Sequence, residues 1–280
     1  MKVNIKMAFI KKATVIIISL GIFAAIYSFI EPYWIKIKQI DFKNNDIPYS
    51  FDNKKIVFIA DIHHGPFFSL DRVKKVVTKI NSLNPDIVLL GGDYVHRKQK
   101  YIEPVFLELS KIKSVIFIGG VLGNHDHWES KLRSIAEMKK AKITYLDNFS
   151  SWISIGNEKI KIGGIGDLWE DEQLLENTIK NVKENDFVIL ISHNPDYFQK
   201  IINRRVDLVL SGHTHGGQIN FFGLFAPILP IRNKSTWKGL CTNNFSTLYI
   251  TTGIGTITPP IRFFSRPEIV LFKLQQKKPF

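Results

Sequence analysis

Five short stretches of this 280-residue chain carry residues able to bind divalent metal ions: Asp61 and His63, Asp93, Asn124 and His125, His193, and His213 and His215. Carboxylate oxygens and neutral imidazoles suit transition metals such as Mn, Fe and Zn. Asp61-x-His63 and His213-x-His215 alternate by two, so one loop can aim both side chains of a pair inward. Asp93 has two carboxylate oxygens and can bridge two ions. Any one of these residues alone reads as a cap or a satisfied polar group. Together they hold five of the chain's eight histidines, and that concentration points to a metal centre.

The elements before these residues explain how they would be positioned. KIVFIA (55–60), DIVLL (86–90), VIFIGG (115–120), FVILIS (187–192) and DLVLS (207–211) read as buried strands, and each runs into one of the five stretches. Leu70, Val73, Val76, Val77 and Ile80 have helical spacing and predict a helix over 70–83. Strands alternating with helices argue for parallel pairing, and ligands gather beyond the carboxyl ends of such strands. Other segments look antiparallel: WISI (152–155) facing KIKIGGI (159–165), then STLYITT (246–252) and EIVLFKL (268–274). Both sets are met by an α/β fold of two packed mixed sheets flanked by helices. Glycines crowd the metal-binding stretches at Gly65, Gly91, Gly92, Gly123, Gly212, Gly216 and Gly217, where backbone must approach closely.

The formal charge is +13, so anionic partners such as phospholipid headgroups or phosphorylated substrates fit. No basic strip interleaved with aromatics marks a single-strand groove, which argues against nucleic acid. Cys241 is the sole cysteine and excludes an internal disulfide framework. Residues 13–30 contain no charge, long enough for a transmembrane helix. Lys11 and Lys12 precede them; Tyr33 and Trp34 follow, as interfacial flanks should. The site around Ala24-Ala25 is poor for signal cleavage, so an uncleaved anchor is expected. The sequence thus divides into a basic amino terminus (1–12), a transmembrane anchor (13–34), an approach segment (35–51) and a catalytic domain (52–280). This predicts a single-pass protein of the inner or plasma membrane. The lysine bias favours an external catalytic domain.

The motifs ADIHHG (60–65), GGDY (91–94), GNHD (123–126), SHNP (192–195) and GHTHGGQ (212–218) resemble the calcineurin-like metallophosphoesterase family. The ending GIGTITPPIRFFSRPEIVLFKL (253–274) is similar to its membrane-anchored bacterial YkuE/YaeI-type branch. The resemblance covers residues 52–274. It implies an α/β/β/α sandwich and two divalent ions (Mn, Zn or Fe). One subsite would be built from Asp61, His63, Asp93 and His215, and the other from Asp93, Asn124, His193 and His213. A hydroxide held between the ions would attack phosphorus in line. His125 matches the family's acid, with Asp126 orienting it. The expected reaction is hydrolysis of a phosphodiester or pyrophosphate, in a lipid-linked or nucleotide-sugar substrate such as UDP-2,3-diacylglucosamine. A nuclease or cyclic-nucleotide phosphodiesterase, and a non-catalytic anchored binding protein, are the competing readings.

Several residues keep two readings. His96 stands where the family often has an Asp. His64 and His127 flank metal-binding residues and read as supporting groups or substrate contacts. Arg262 could fork a substrate phosphate or pair with Glu268. The apolar loop 219–231, with Phe221, Phe222, Phe225, Leu229 and Ile231, could hold an acyl chain, dip into a membrane, or cover a sheet edge as core.

Overall fold

The computed structural model describes residues 2–201 and 205–277. Met1, residues 202–204 and residues 278–280, which the sequence assigns to the basic amino terminus and the catalytic domain, lie outside the described residues.

Two six-stranded mixed sheets form the body. In the first, β1 (Lys36–Asn44), β2 (Lys55–Ile59), β3 (Ile87–Leu90), β4 (Phe117–Gly120), β5 (Thr144–Tyr145) and β12 (Glu268–Gln276) are ordered β1-β12-β2-β3-β4-β5. In the second, β6 (Ser150–Ile155), β7 (Glu158–Gly164), β8 (Val188–Ile191), β9 (Leu208–Ser211), β10 (Gly239–Thr242) and β11 (Thr247–Ile250) are ordered β10-β11-β9-β8-β7-β6. The strands that feed the candidate metal-binding stretches run parallel: β2 with β3, β3 with β4, and β8 with β9. Their carboxyl ends therefore lie on one side of each sheet.

The strands are apolar on both faces because both faces are covered. On β2, Ile56 and Phe58 point between the sheets, where they meet Phe187, Ile189, Leu208 and Phe272. Val57 and Ile59 point outward under three helices, α2 (Leu70–Ser82), α3 (Ile102–Leu109) and α4 (Asn124–Lys140). The stripe of α2 is the one its spacing predicts, with Val73, Val76, Val77 and Ile80 buried. The outer face of the second sheet has thinner cover. There Val188, Leu190, Val209 and Ile250 pack on Tyr197, Phe198 and Ile201 from short turns.

Three local features differ from the sequence reading. Residues 36–44, assigned to the approach segment, form β1, an edge strand parallel to β12. Its charged side chains (Lys36, Lys38, Asp41, Lys43) disguise it, as edge strands commonly are disguised. STLYITT contributes β11, which is antiparallel to β10 but parallel to β9. Loop 219–231 does not cover a sheet edge as core: Ala226 and Ile231 are buried, while Phe221, Phe222, Leu224, Phe225 and Ile228 are exposed.

Ahead of the sheets, α1 (Lys2–Ile30) continues into an apolar stretch long enough to cross a membrane, Phe9–Tyr33. It has no polar stripe, and its large apolar side chains from Phe9 to Ile30 are exposed. Only its end docks on the body: the Arg262 backbone N–H donates to the Ser28 carbonyl at 3.0 Å.

Phe272 is fully buried between the sheets and meets the Tyr249 ring edge-on at 5.5 Å. Phe272→Ala should lower unfolding stability by about 3–5 kcal/mol, since it removes a fully packed ring. Chemical denaturation of the full chain in detergent checks this; an unchanged midpoint would contradict the packing described.

Candidate metal centre

All five stretches converge at the carboxyl ends of the strands, where the two sheets face each other. Asp61 and His63 follow β2, Asp93 follows β3, and Asn124 and His125 open α4 after β4. The second sheet sends His193 from the end of β8, and His213 and His215 from the end of β9. Asp61, His63, Asp93, Asn124, His193, His213 and His215 are all buried; His125 is half-buried at the rim.

Backbone bonds fix the turns. Asp61 N–H donates to Gly92 O, and His63 N–H to Asp93 O, so β2 and β3 stay paired beyond their ends. His213 N–H donates to Asp61 Oδ1 at 2.9 Å, which ties the second sheet to the first. Five of the candidate metal-binding residues, Asp61, His63, Asp93, His213 and His215, hold positive φ between 48° and 69°. That region is strained for side chains other than glycine, and strain of this kind clusters at functional sites. Close approach explains two glycines. A β-carbon at Gly123 would stand 2.3 Å from Asp93 Oδ1, and one at Gly253 would stand 2.6 Å from Asp61 Oδ2.

The side chains form two donor sets. Asp61, His63 and His215 offer atoms close enough to share one ion; so do Asp93, His193 and His213. Asp93 Oδ2 stands 3.3 Å from His63 Nε2 and 3.3 Å from His193 Nε2, midway between the sets. Its Oδ1 accepts from the His125 backbone N–H. His63 Nε2 and His215 Nε2 are 3.0 Å apart; His213 Nδ1 and His193 Nε2 are 3.2 Å apart. Two nitrogens bound at about 2.0–2.1 Å to one ion, at near right angles, stand about 3 Å apart.

These residues fit cations, and ring protons show why. His193 Nδ1 lies 2.7 Å from Gly91 O and must donate to it. His213 Nε2 lies 3.0 Å from Pro230 O and must donate there. The remaining nitrogens, which face each other, therefore carry lone pairs in the neutral rings. Outer hydrogen bonds of this type fix the tautomer of metal-binding histidines. Asp61 Oδ2 and Asn124 Oδ1 are buried without any protein partner. Burial strips solvent from the site and makes every charge there demand compensation. It pushes the Asp61 carboxyl up to about 7, holds His215 well below the usual histidine range, and takes His213 down to about 3. Burial opposes a charge on His193 too, yet the Asp93 carboxylate outweighs it and holds His193 high. The cavity attracts positive charge.

Two supporting roles differ from the sequence reading. Asp126 does not orient His125: its carboxylate accepts the N–H groups of Asp93 (2.8 Å), Tyr94 (2.9 Å) and Gly123 (2.9 Å). The partner of His125 is His96, with the two Nδ1 atoms 3.2 Å apart. Arg262 neither reaches the opening nor hydrogen-bonds Glu268. It is fully buried and donates to the carbonyls of Gly255, Thr252 and Ser265, with Nη2 3.5 Å from His215 Nδ1. It thus holds the 252–265 loop beneath the second His motif. His64 is structural, with Nδ1 at 2.8 Å from Phe68 O. His127 lies with Asp147 and Asp171 apart from both sets, and Lys131 already supplies a cation there through its ion pair with Asp171. Trp128 over His125 and Trp169 over His213 had no spacing signal in the sequence.

Residues 54–217 match the family described as calcineurin-like phosphoesterase. The chain belongs to that family. Metallophosphoesterase YkuE of Bacillus subtilis is 30% identical over 252 residues, covering 88% of this chain and 88% of that protein. Phosphodiesterase YaeI of Escherichia coli is 30% identical over 251 residues, covering 87% of this chain and 90% of its own length. The solved structure of a Staphylococcus aureus protein described as a candidate 5'-nucleotidase aligns with a TM-score of 0.50 at 11% identity. That alignment covers 81% of this chain and 55% of the other, and it speaks to the fold alone. Membership makes this calcineurin-like phosphoesterase a hydrolase whose family works with two divalent ions.

Asp93→Ala should lose metal from both donor sets, whereas Asp61→Ala should lose it from one; metal per folded chain by plasma mass spectrometry reads the difference. Asp126→Ala would orphan the buried N–H groups of Asp93, Tyr94, Gly123 and Val95, at about 1–3 kcal/mol each. A lower unfolding midpoint together with reduced metal content is the expected result.

Proposed function

We propose that this chain hydrolyses a phosphodiester or pyrophosphate bond in a lipid-linked substrate. The observation that carries the reading is Asp93 Oδ2, equidistant from histidines of two facing donor sets. In this reading Asp61, His63, Asp93 and His215 hold one ion, and Asp93, Asn124, His193 and His213 hold the other. Mn, Zn or Fe suits these donors. A bound pair of divalent ions supplies Lewis acidity, which activates water and offsets charge on the phosphoryl group.

The remaining work belongs to the chain's own residues. Burial of both donor sets excludes bulk water and strengthens every charge interaction inside. His125 is the half-buried imidazole at the rim, and we assign it the proton for the leaving alkoxide. Burial takes His96 down to about 4, so it stays neutral at working pH. A lone pair on His96 Nδ1 then accepts the His125 Nδ1–H, and in its imidazolium form His125 carries on Nε2 the proton it passes to the leaving oxygen, ending as the neutral ring. The Trp128 ring, 4.6 Å away edge-on, and His63 at 4.6 Å fix the plane of His125 from two sides.

Support for a lipid-linked substrate comes from what adjoins the site. A mostly apolar cleft opens beside His215, lined by Gly217, Ile219, Ile228, Pro230, Ile257 and Pro259. It suits an alkyl or acyl portion of a phosphoester. The apolar helix α1 would keep the chain where such substrates are found. Lys11 and Lys12, in α1 just ahead of its uncharged stretch 13–30, support a cytoplasmic amino terminus and an external catalytic domain. A carboxyl-terminal alkaline phosphatase fusion should then be active; a UDP-linked lipid substrate would require the opposite orientation.

Metal-loaded full-length protein is expected to hydrolyse bis-p-nitrophenyl phosphate, and acyl-bearing diesters or pyrophosphates faster than soluble nucleotides. No hydrolysis of any diester or pyrophosphate by metal-loaded protein would falsify the enzyme assignment. Preference for nucleic acid or cyclic nucleotides would replace the lipid reading. His125→Ala should retain metal and lose about 10²–10⁴-fold in turnover on poor leaving groups, the usual range for one acid–base group. Its effect should shrink on p-nitrophenyl leaving groups, which need no proton.

A further inference from the structure

Loop 219–231 leaves the second His motif and presents its apolar side chains outward. Leu224 is 86% exposed, Phe222 74% and Ile228 73%, with Phe221 and Phe225 also exposed. Such a cluster on one loop exceeds the scattered apolar residues of an ordinary surface. It is not isolated. Phe222 packs on Phe264 at 4.4 Å, Phe221 on Phe263 at 6.0 Å, and Phe221 on Phe225 at 6.2 Å. Phe263 and Phe264 in turn pack on Tyr27 of α1, at 5.7 and 5.5 Å. One aromatic band therefore runs from the helix to the loop tip.

The position of Tyr27 decides what covers this band. The apolar span ends at Tyr33, so Tyr27 lies six residues before its end, about 9 Å along the helix axis. Were the bilayer to stop at Tyr27, Phe29, Ile30, Tyr33 and Trp34 would face water together with the loop, since all four are exposed. If the helix enters to its end, the rings packed on Tyr27 enter with it. Charge agrees: no Asp or Glu occurs between Asp207 and Glu268, a stretch that contains Arg232, Lys234, Lys238 and Arg266. A β-carbon at Gly223 would lie 3.8 Å from the Lys238 amine, so a cation accompanies the loop tip. Arg266 donates from Nε to Trp34 O and lies over the Trp34 ring at 4.6 Å, at the other end of the band. Cations beside inserted aromatics match an anionic headgroup layer.

We infer that loop 219–231, with Phe263 and Phe264, is a second membrane-contacting element that inserts into the bilayer surface next to α1. The wedge and the helix give the domain two points of attachment and fix its tilt. The metal centre, directly ahead of the loop in sequence, then faces the headgroup layer. The inference rests on α1 entering the bilayer and is independent of the reaction proposed above.

The test uses full-length protein in phosphatidylcholine–phosphatidylglycerol vesicles, with Cys241→Ser as background. An environment-sensitive fluorophore is attached in turn to Leu224→Cys, Phe225→Cys, Ile17→Cys in mid-helix, and Leu132→Cys on α4. Phosphatidylcholines spin-labelled near the headgroup and at mid-chain are then both included in the vesicles. Loss of most emission at 224, 225 and 17, with emission at 132 retained, supports the wedge. Emission at 224 and 225 matching that at 132, while 17 is quenched, overturns it and places the loop in water or against a soluble partner. Unquenched emission at 17 overturns it as well, because the helix is then outside the bilayer. None of these readings involves turnover, so a failure here leaves the hydrolase assignment to its own test.

Discussion

Four backbone N–H groups converge on one buried carboxylate, that of Asp126. Three of them come from the turn after β3 and one from the turn after β4. The carboxylate therefore welds two neighbouring strand ends into one rigid floor. On that floor Asp93 sits with positive φ, a conformation costing roughly 1–2 kcal/mol per non-glycine residue. Asp61, His63, His213 and His215 share the strain. The backbone bonds that hold these turns offset it, and they leave the side chains aimed into the cavity.

The rest of the site depends on that floor by successive contacts. Asp93 Oδ1 accepts from His125 N–H and so sets where α4 begins. Asp61 Oδ1 accepts from His213 N–H and so brings in the second sheet. Arg262, buried among carbonyls, fixes the loop that lies beneath His215. Each link is short and polar, and all sit at the open ends of strands whose apolar faces are fully buried. The layers provide rigidity; the polar links provide aim.

Much of this was legible in the sequence, because strand-end placement and residue type are local properties. The runs of apolar residues marked the parallel strands, and the spacing of Val73, Val76, Val77 and Ile80 marked α2. The supporting groups were not legible for the opposite reason. Asp126 is the sequence neighbour of His125, yet its carboxylate serves the backbone of Asp93, Tyr94 and Gly123 instead. Arg262 serves carbonyls distributed over 252–265, and a guanidinium gives no sign of whether it will meet phosphate or backbone. β1 was hidden by its own charges, which suit a solvent-facing edge. The histidine at position 96 gains its meaning only from a ring brought near it by the fold.

The pairing of β1 with β12 has a consequence for how the molecule is made. Lys36 stands opposite Glu268 in register, so the first strand after the apolar helix is completed by the last strand of the domain. Chain emerging from the ribosome delivers the helix first, and β1 then has no neighbour until about 230 further residues have been synthesised. Through that interval β2 also lacks its neighbour β12, and β1 is a strand without a partner. Charged residues such as Lys36, Lys38, Asp41 and Lys43 disfavour pairing of such a strand with a wrong partner.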